Sequence, residues 1–116
     1  MLFRSTTNFT AQVRLIRAAL PHLTDCLINI GSGALYRPVP NSGVYSATKA
    51  ALTRLTEVLA VENPHLRCYT VHPGRTKTAM LPEGMDAAIP AGFVYRVASG
   101  EHETPTGGQV NVQALV

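Results

Sequence analysis

The stretch CLINIG, Cys26–Gly31, is the first part of the chain whose pattern specifies a fold. It is a short apolar run, with Asp25 before it and Gly33 close behind it. Such a run is typical of a strand that is buried on both faces of a parallel sheet. A second apolar run, LRCYTV, spans Leu66–Val71 and has the same character. We therefore predict two buried strands that are joined by a crossover connection.

Helical patterns lie before and between these two strands. From Asn8 to Leu20 the apolar residues recur at spacings of four, three and four, which predicts a helix that Pro21 ends. Another helix is predicted from Ser42 or Gly43 to the Asn63-Pro64 pair, because its small and apolar residues recur at helical spacing and a proline stops it.

Weaker patterns complete the chain. Arg37–Gly43 is rich in proline and predicts a loop, Ala91–Ser99 favours a helix, and the alternating stretch Gly108–Gln113 predicts a last strand. Helix and strand therefore alternate, which indicates an α/β fold: a Rossmann-like parallel sheet of three predicted strands with flanking helices. In such sheets functional groups collect at the carboxyl ends of the strands, here Gly31–Gly33 and His72–Gly74.

The composition indicates one globular domain over residues 1–116. The net charge is +3, but the basic residues are scattered, which argues against nucleic-acid binding. No run approaches the ~20 apolar residues that a membrane span needs, and the first residues lack the apolar region of a secretory signal. Cys26 and Cys68 show no CxxC pattern and the histidines show no metal-ligand spacing, so we expect free thiols, no metal and a cytoplasmic protein.

The stretch GVYSATKAALTRL, Gly43–Leu55, places a phenol and an ammonium on one face of the second predicted helix. Tyr45 and Lys49 are four positions apart, and at ~100° per residue they project within ~40° of each other. A phenol is a poor proton donor at neutral pH, but a nearby cation favours its phenolate form and makes it a better general acid or base. Taken alone, the pair is more simply explained by a half-buried tyrosine beside a surface lysine.

The neighbours of this pair favour the catalytic interpretation. Ser32 follows the first strand, Asn8 lies in the first helix, and the second strand leads into Pro73-Gly74. From Asn8 to about Val112 the chain resembles the short-chain dehydrogenase/reductase family, whose motifs it carries in the family's order. The matching stretches are TNFTAQVRLIRAALPHL, LINIGSGA, YSATKAALTRLTEVLAVE, VHPGRTKTAM and TGGQVNV.

The resemblance implies a role for each matching residue. Tyr45 would be the catalytic acid/base, Lys49 would support it and bind the ribose beside the nicotinamide, and Ser32 would orient the substrate carbonyl. Asn8 would hold a water that links Lys49 to solvent. Further contacts to NAD or NADP would come from the loop after the second strand: Pro73, Gly74, Thr76 and Thr78. The implied reaction is reversible hydride transfer between NAD(P)H and a small-molecule carbonyl or alcohol.

The resemblance covers the carboxyl-terminal half of the family. The amino-terminal half normally carries a glycine-rich turn whose backbone N–H groups bind the cofactor's pyrophosphate at a helix start. These 116 residues contain no counterpart of that turn, so we expect a chain that is truncated relative to the family. In the family the helices that match residues 8–20 and 44–62 pair across a dimer interface, which implies a homo-oligomer.

Two alternatives remain open at this stage. A half-domain that keeps the pairing helices could be a catalytically inactive oligomerisation or interaction module. Ser46 and Lys49 also form an SxxK pair, the nucleophile motif of serine acyl-enzymes. That class also needs SDN and KTG partners, and the sequence contains neither, so the acyl-enzyme reading is the weaker of the two.

Overall fold

The computed structural model describes residues 9–75 and 83–116. Within these ranges three strands form one sheet: β1 (Cys26–Ile30), β2 (Arg67–His72) and β3 (Gln109–Asn111). Their order is β1-β2-β3 and both pairings are parallel, with Ile28 opposite Tyr69 and Val71 opposite Val110. The predicted α/β class and the predicted parallel three-stranded sheet are confirmed.

Helices cover both faces of this sheet. They are α1 (Ala11–Ala19), α2 (Gly43–Glu62), α3 (Ala88–Ser99) and the short α4 (Val112–Leu115). On the face of α1 and α2 the buried residues form one apolar cluster: Ile16, Leu52, Leu59, Ala60, Leu66 and Cys68. On the face of α3 they form another: Tyr69, Val71, Val97, Val110 and Val112.

Cys26 and Cys68 are free thiols, and burial raises the pKa of the Cys68 thiol.

The helix α2 has the bounds that the sequence predicts. It begins at Gly43 and ends at Glu62. The next residue, Asn63, donates two hydrogen bonds to the Leu59 carbonyl, from its backbone N–H and from its side-chain Nδ2, both at 2.9 Å. Pro64 follows, which disfavours a further helical residue before it. These two hydrogen bonds satisfy a carbonyl that the last turn would otherwise leave unpaired.

The edge strand β1 differs from its prediction. We expected a strand buried on both faces, but β1 is mostly half-buried and Ile30 is 45% exposed. Among the described residues no strand pairs with its outer edge, so neighbours cover it on one side only. The central strand β2, which has partners on both sides, is buried at every position after Arg67.

The last predicted strand, Gly108–Gln113, is wrong at its carboxyl end. The strand β3 stops at Asn111 and the chain turns into α4. Asn111 pairs with His72, the last residue of β2, and the next residue is Pro73, which has no N–H to donate. Gly74 then takes a positive φ of 79°, so β2 leaves the sheet and β3 has no further partner.

Three helix boundaries also differ by a few residues. The helix α1 begins at Ala11, after a wider turn at Phe9 and Thr10, and Pro21 lies inside a short 3-10 turn, Leu20–His22. The helix α3 begins at Ala88 and not at Ala91, because Pro90 falls in its first turn, where a missing N–H is tolerated. A 3-10 turn, Gly33–Tyr36, precedes the predicted loop.

No helix in the described ranges combines the length and apolar character that crossing a bilayer requires.

Candidate active site

An open groove of about 1060 Å³ lies at the carboxyl ends of the three strands. Each strand contributes to its lining: Ser32 lies just after β1, Gly74 just after β2, and Asn111 at the end of β3. This edge is where a parallel α/β sheet presents its functional groups. The sequence prediction that Ser32 and Gly74 lie at one edge is therefore supported by their shared groove.

The position of Ser32 depends on the glycine before it. Gly31 N–H donates to the Val71 carbonyl at 2.8 Å, which continues the β1–β2 ladder by one residue. A Cβ atom at Gly31 would overlap the ring of His72 and come within 2.8 Å of Thr70 Cγ2. Only glycine therefore fits at residue 31. Its lack of a side chain lets the backbone lie close to the His72 and Thr70 side chains of β2 and bring Ser32 to the groove.

Tyr45 and Lys49 lie on the first two turns of α2, where both are half-buried. Lys49 Nζ is 5.9 Å from the centroid of the Tyr45 ring, so the two side chains share one helix face as their spacing predicts. Lys49 Nζ also donates to the Ile30 carbonyl at 3.1 Å. This hydrogen bond holds the helix face against the end of β1, two residues before Ser32.

The groove and the Tyr45–Lys49 pair are adjacent but distinct. Among the described residues, Ser32 lines the groove while Tyr45 and Lys49 do not. The ammonium of Lys49 has three protons and the Ile30 carbonyl accepts one, which leaves two for other acceptors. That donor set fits the ribose hydroxyls of a nicotinamide cofactor.

A polar cluster beside the groove was not predicted as a site. His72 is fully buried at the end of β2, and its Nε2 lies 3.0 Å from Gln109 Oε1. Gln109 Nε2 donates to Glu57 Oε1 at 3.3 Å, which fixes the amide so that Oε1 faces His72 and accepts its proton. Tyr36 OH donates to the same Oε1 at 2.9 Å, and its ring meets the His72 ring edge-on at 5.2 Å between centroids.

Burial of the His72 ring and the hydrogen bonds of this cluster act on its pKa in opposite directions. Burial is the largest cause and lowers the pKa of His72 below its ordinary value of 6.5. The hydrogen bond with Gln109 and the backbone of Ser32 oppose that shift, and the positive charge of Lys49 adds to it. The spacing of residues in the sequence does not predict this contact of His72, because its partner Gln109 lies 37 residues away.

The loop after β2 is fixed at its start. Gly74 has a positive φ, and a Cβ there would come within 2.8 Å of Gln113 Oε1, which accepts a hydrogen bond from Arg75 N–H at 3.2 Å. Pro73 and Gly74 therefore lie where the sequence places them, at the carboxyl end of β2. The other predicted site residues, Asn8, Thr76 and Thr78, lie outside the described residues.

The acyl-enzyme alternative gains no support from the geometry. Ser46 Oγ donates to the Gly43 carbonyl at 3.2 Å, and Lys49 Nζ donates to Ile30, so each side chain has a partner other than the other. A nucleophilic serine needs its base within hydrogen-bond reach.

In the part of the chain that the structure describes, no three His, Cys, Asp or Glu side chains group to hold a metal ion.

Comparison with known proteins identifies the family. The family model described as short chain dehydrogenase matches residues 5–87. A dehydrogenase/reductase from Sinorhizobium meliloti has a crystal structure that superposes on this chain with a TM-score of 0.80 at 34% sequence identity. The superposition covers 92% of this chain and 51% of that one. The chain belongs to the short-chain dehydrogenase/reductase family.

Two relatives have the names of oxidoreductases. An uncharacterized NAD-dependent oxidoreductase of Mycobacterium tuberculosis is 34% identical over 86 residues, which are 67% of this chain and 31% of that protein. Sepiapterin reductase of Rattus norvegicus is 40% identical over 60 residues, which are 52% of this chain and 23% of that protein. The chain thus spans about a third or less of these relatives and about half of the solved structure.

Proposed function

We propose that the protein that carries this chain is an NAD(P)-dependent oxidoreductase that interconverts a carbonyl compound and its alcohol. Residues 1–116 would form a single domain, equivalent to the catalytic carboxyl-terminal half of such an enzyme. The observation that carries the proposal is the placement of Lys49, which contacts the end of β1 through Ile30 and shares a helix face with Tyr45. The names of the mycobacterial and rat relatives support the same class of reaction.

The reduced cofactor, NADH or NADPH, would supply the hydride when the carbonyl is reduced, and the oxidised cofactor would accept a hydride in the reverse direction. During reduction Tyr45 gives its proton to the carbonyl oxygen, so that hydride on carbon and proton on oxygen together make the alcohol. The ammonium of Lys49 stabilises the phenolate that remains. Ser32, in the groove, donates a hydrogen bond to the same carbonyl oxygen and fixes its direction.

The other predicted residues complete this proposal. Lys49 would bind the ribose with its two remaining protons, and Asn8 would hold the water that reconnects Lys49 with solvent. Pro73, Gly74, Thr76 and Thr78 would contact the nicotinamide, since Pro73-Gly74 follows directly on β2 at the groove edge. Each role rests on the family resemblance together with the position of the residue in the chain.

The test is Tyr45→Phe in the protein that carries this chain. The substitution removes the proton donor and keeps the ring, so turnover should fall by at least about 100-fold, the range of general acid–base catalysis, while cofactor affinity changes little. Tyr95→Phe is the matched control, because Tyr95 lies exposed on α3. Steady-state rates would be followed by NAD(P)H absorbance. Retention of most of the activity by Tyr45→Phe would refute the acid/base assignment.

A second candidate function has its own support. The outer faces of α1 and α2 expose large apolar side chains, among which Leu15 is 64% and Val61 82% exposed. We propose that the protein forms a homo-oligomer through helices 8–20 and 44–62, which would cover these side chains. An inactive family member that kept only this surface would act as an oligomerisation module. Assembly without any NAD(P)H turnover would favour that candidate.

A further inference from the structure

The side chains that line the groove at the strand ends carry more positive than negative charge. Its lining includes two arginines, Arg37 and Arg75, but only one acidic residue, Glu83. All seven acidic residues of the sequence lie within the described ranges, yet none forms an ion pair with Arg37. The exposed Arg37 guanidinium therefore brings an uncompensated positive charge to the groove.

Arg75 is the second cation, and its charge is only loosely compensated. Its Nη2 lies 3.8 Å from Glu83 Oε2, and both side chains are mostly exposed, so the pair is weak and screened by water. Its backbone, in contrast, is fixed, because Arg75 N–H donates to Gln113 and its carbonyl accepts from Met85 N–H at 2.8 Å. These two hydrogen bonds hold the backbone of Arg75 at the groove, while its guanidinium can take another partner.

The remaining lining is largely apolar and adjoins Ser32. Tyr36 and Val39 line the groove on the β1 side, and Met85 lines it beside the loop after β2. A ligand that fills this space would bury an apolar body between these side chains and place a polar group near the arginines. Guanidinium groups bind carboxylate and phosphate through paired hydrogen bonds.

We propose that the groove selects carbonyl substrates whose apolar body carries an anionic group, with Arg37 as the main contact and Arg75 as the second. The inference rests on the proposed oxidoreductase function, because Ser32 in the same groove would hold the carbonyl. The anionic group is a carboxylate or a phosphate of the substrate. The diphosphate of the cofactor is the other source of such a group, and the experiment separates the two.

The experiment compares benzoylpropionate, an aryl ketone with a carboxylate, with its neutral methyl ester. Binding to the protein that carries this chain is measured by calorimetry, and kcat/KM is measured with NADH and NADPH. The acid should be preferred by about two- to tenfold, since water screens a contact to an exposed arginine while paired hydrogen bonds strengthen it. Arg37→Gln should abolish the preference. Arg14→Gln, which removes an exposed arginine from α1, should leave it unchanged.

Two further variants sharpen the test. Glu83→Gln removes the opposing carboxylate, so it should strengthen the binding of the acid and leave the ester unaffected. Cofactor affinity should be the same in Arg37→Gln and in the unmodified protein. A fall in cofactor affinity in Arg37→Gln would overturn the proposal, because the arginine would then serve the cofactor's diphosphate.

The remaining outcomes decide the proposal separately from the function. Equal binding of acid and ester, with reduction of both, would overturn the anion preference and leave the oxidoreductase function standing. Binding of the acid that depends on Arg37, without any reduction, would support the anionic subsite and count against the proposed reaction.

Discussion

His72 shows how a single buried side chain can make this fold sensitive to acid. Burial in the folded protein lowers its pKa below 6.5, while in the unfolded chain it takes up a proton near that value. Below pH 6.5 the unfolded state therefore binds more protons than the folded state, and stability is lost as the pH falls toward the folded pKa.

We expect the free energy of unfolding to fall by up to about 1.4 kcal/mol for each pH unit below that value, the slope for one proton. Urea unfolding measured between neutral pH and mildly acidic pH tests this. His72→Asn, which has no titrating ring, should show a shallower slope than the unmodified protein. His65→Asn, at an exposed position, is the control and should keep the full slope. Equal slopes in all three proteins would contradict the assignment.

Gly31 provides a second test at the residue scale. Gly31→Ala would place a methyl group into the His72 ring and against Thr70, so it should destabilise the protein by about 1–3 kcal/mol, the usual cost of overpacking. Gly33→Ala is the matched control, because a Cβ there meets no atom within 4 Å. Chemical denaturation of the two variants would show whether the difference exists. If both variants lose the same stability, the close approach at Gly31 is not what requires glycine.

At the scale of the elements, the sequence predicts best where local signals agree. The helix α2 has helical spacing, a proline stop and a polar cap at Asn63, and its predicted bounds are confirmed. The parallel sheet also follows from the alternation of helices and strands. For the candidate site, the one-face pairing of Tyr45 and Lys49 follows from their spacing, and the structure places them together.

The sequence predicts less well where distant parts of the chain decide the outcome. The end of β3 is set by Pro73 and Gly74, which follow the neighbouring strand β2, and no local pattern at Gln113 reveals this. The exposure of Ile30 depends on whether another strand covers β1, not on its own side chain. The Tyr36–His72–Gln109 cluster joins three separate segments, so only the tertiary structure brings it together.

At the scale of the whole molecule, the exposed faces of α1 and α2 bear on assembly. If Val61 lies in an interface, Val61→Asp would bury a charge without a partner and should shift the protein toward monomers. Sedimentation velocity at several concentrations measures the shift. Ile89→Asp is the control, since Ile89 is also an exposed apolar residue, at 40%, but lies on α3 at the other face of the sheet. A purely monomeric unmodified protein would exclude the interface.

The hydrogen bond from Lys49 to Ile30 has a mechanical consequence for the edge of the sheet. Gly31 N–H points toward β2, and the carbonyl of Ile30 belongs to the same trans peptide unit, so it points to the opposite, outer edge. Lys49 occupies that carbonyl. A strand that pairs with the outer edge of β1 would therefore compete with the Lys49 ammonium for the Ile30 carbonyl. Pairing beyond Ile30 would have to displace the side chain on which the proposed proton transfer depends.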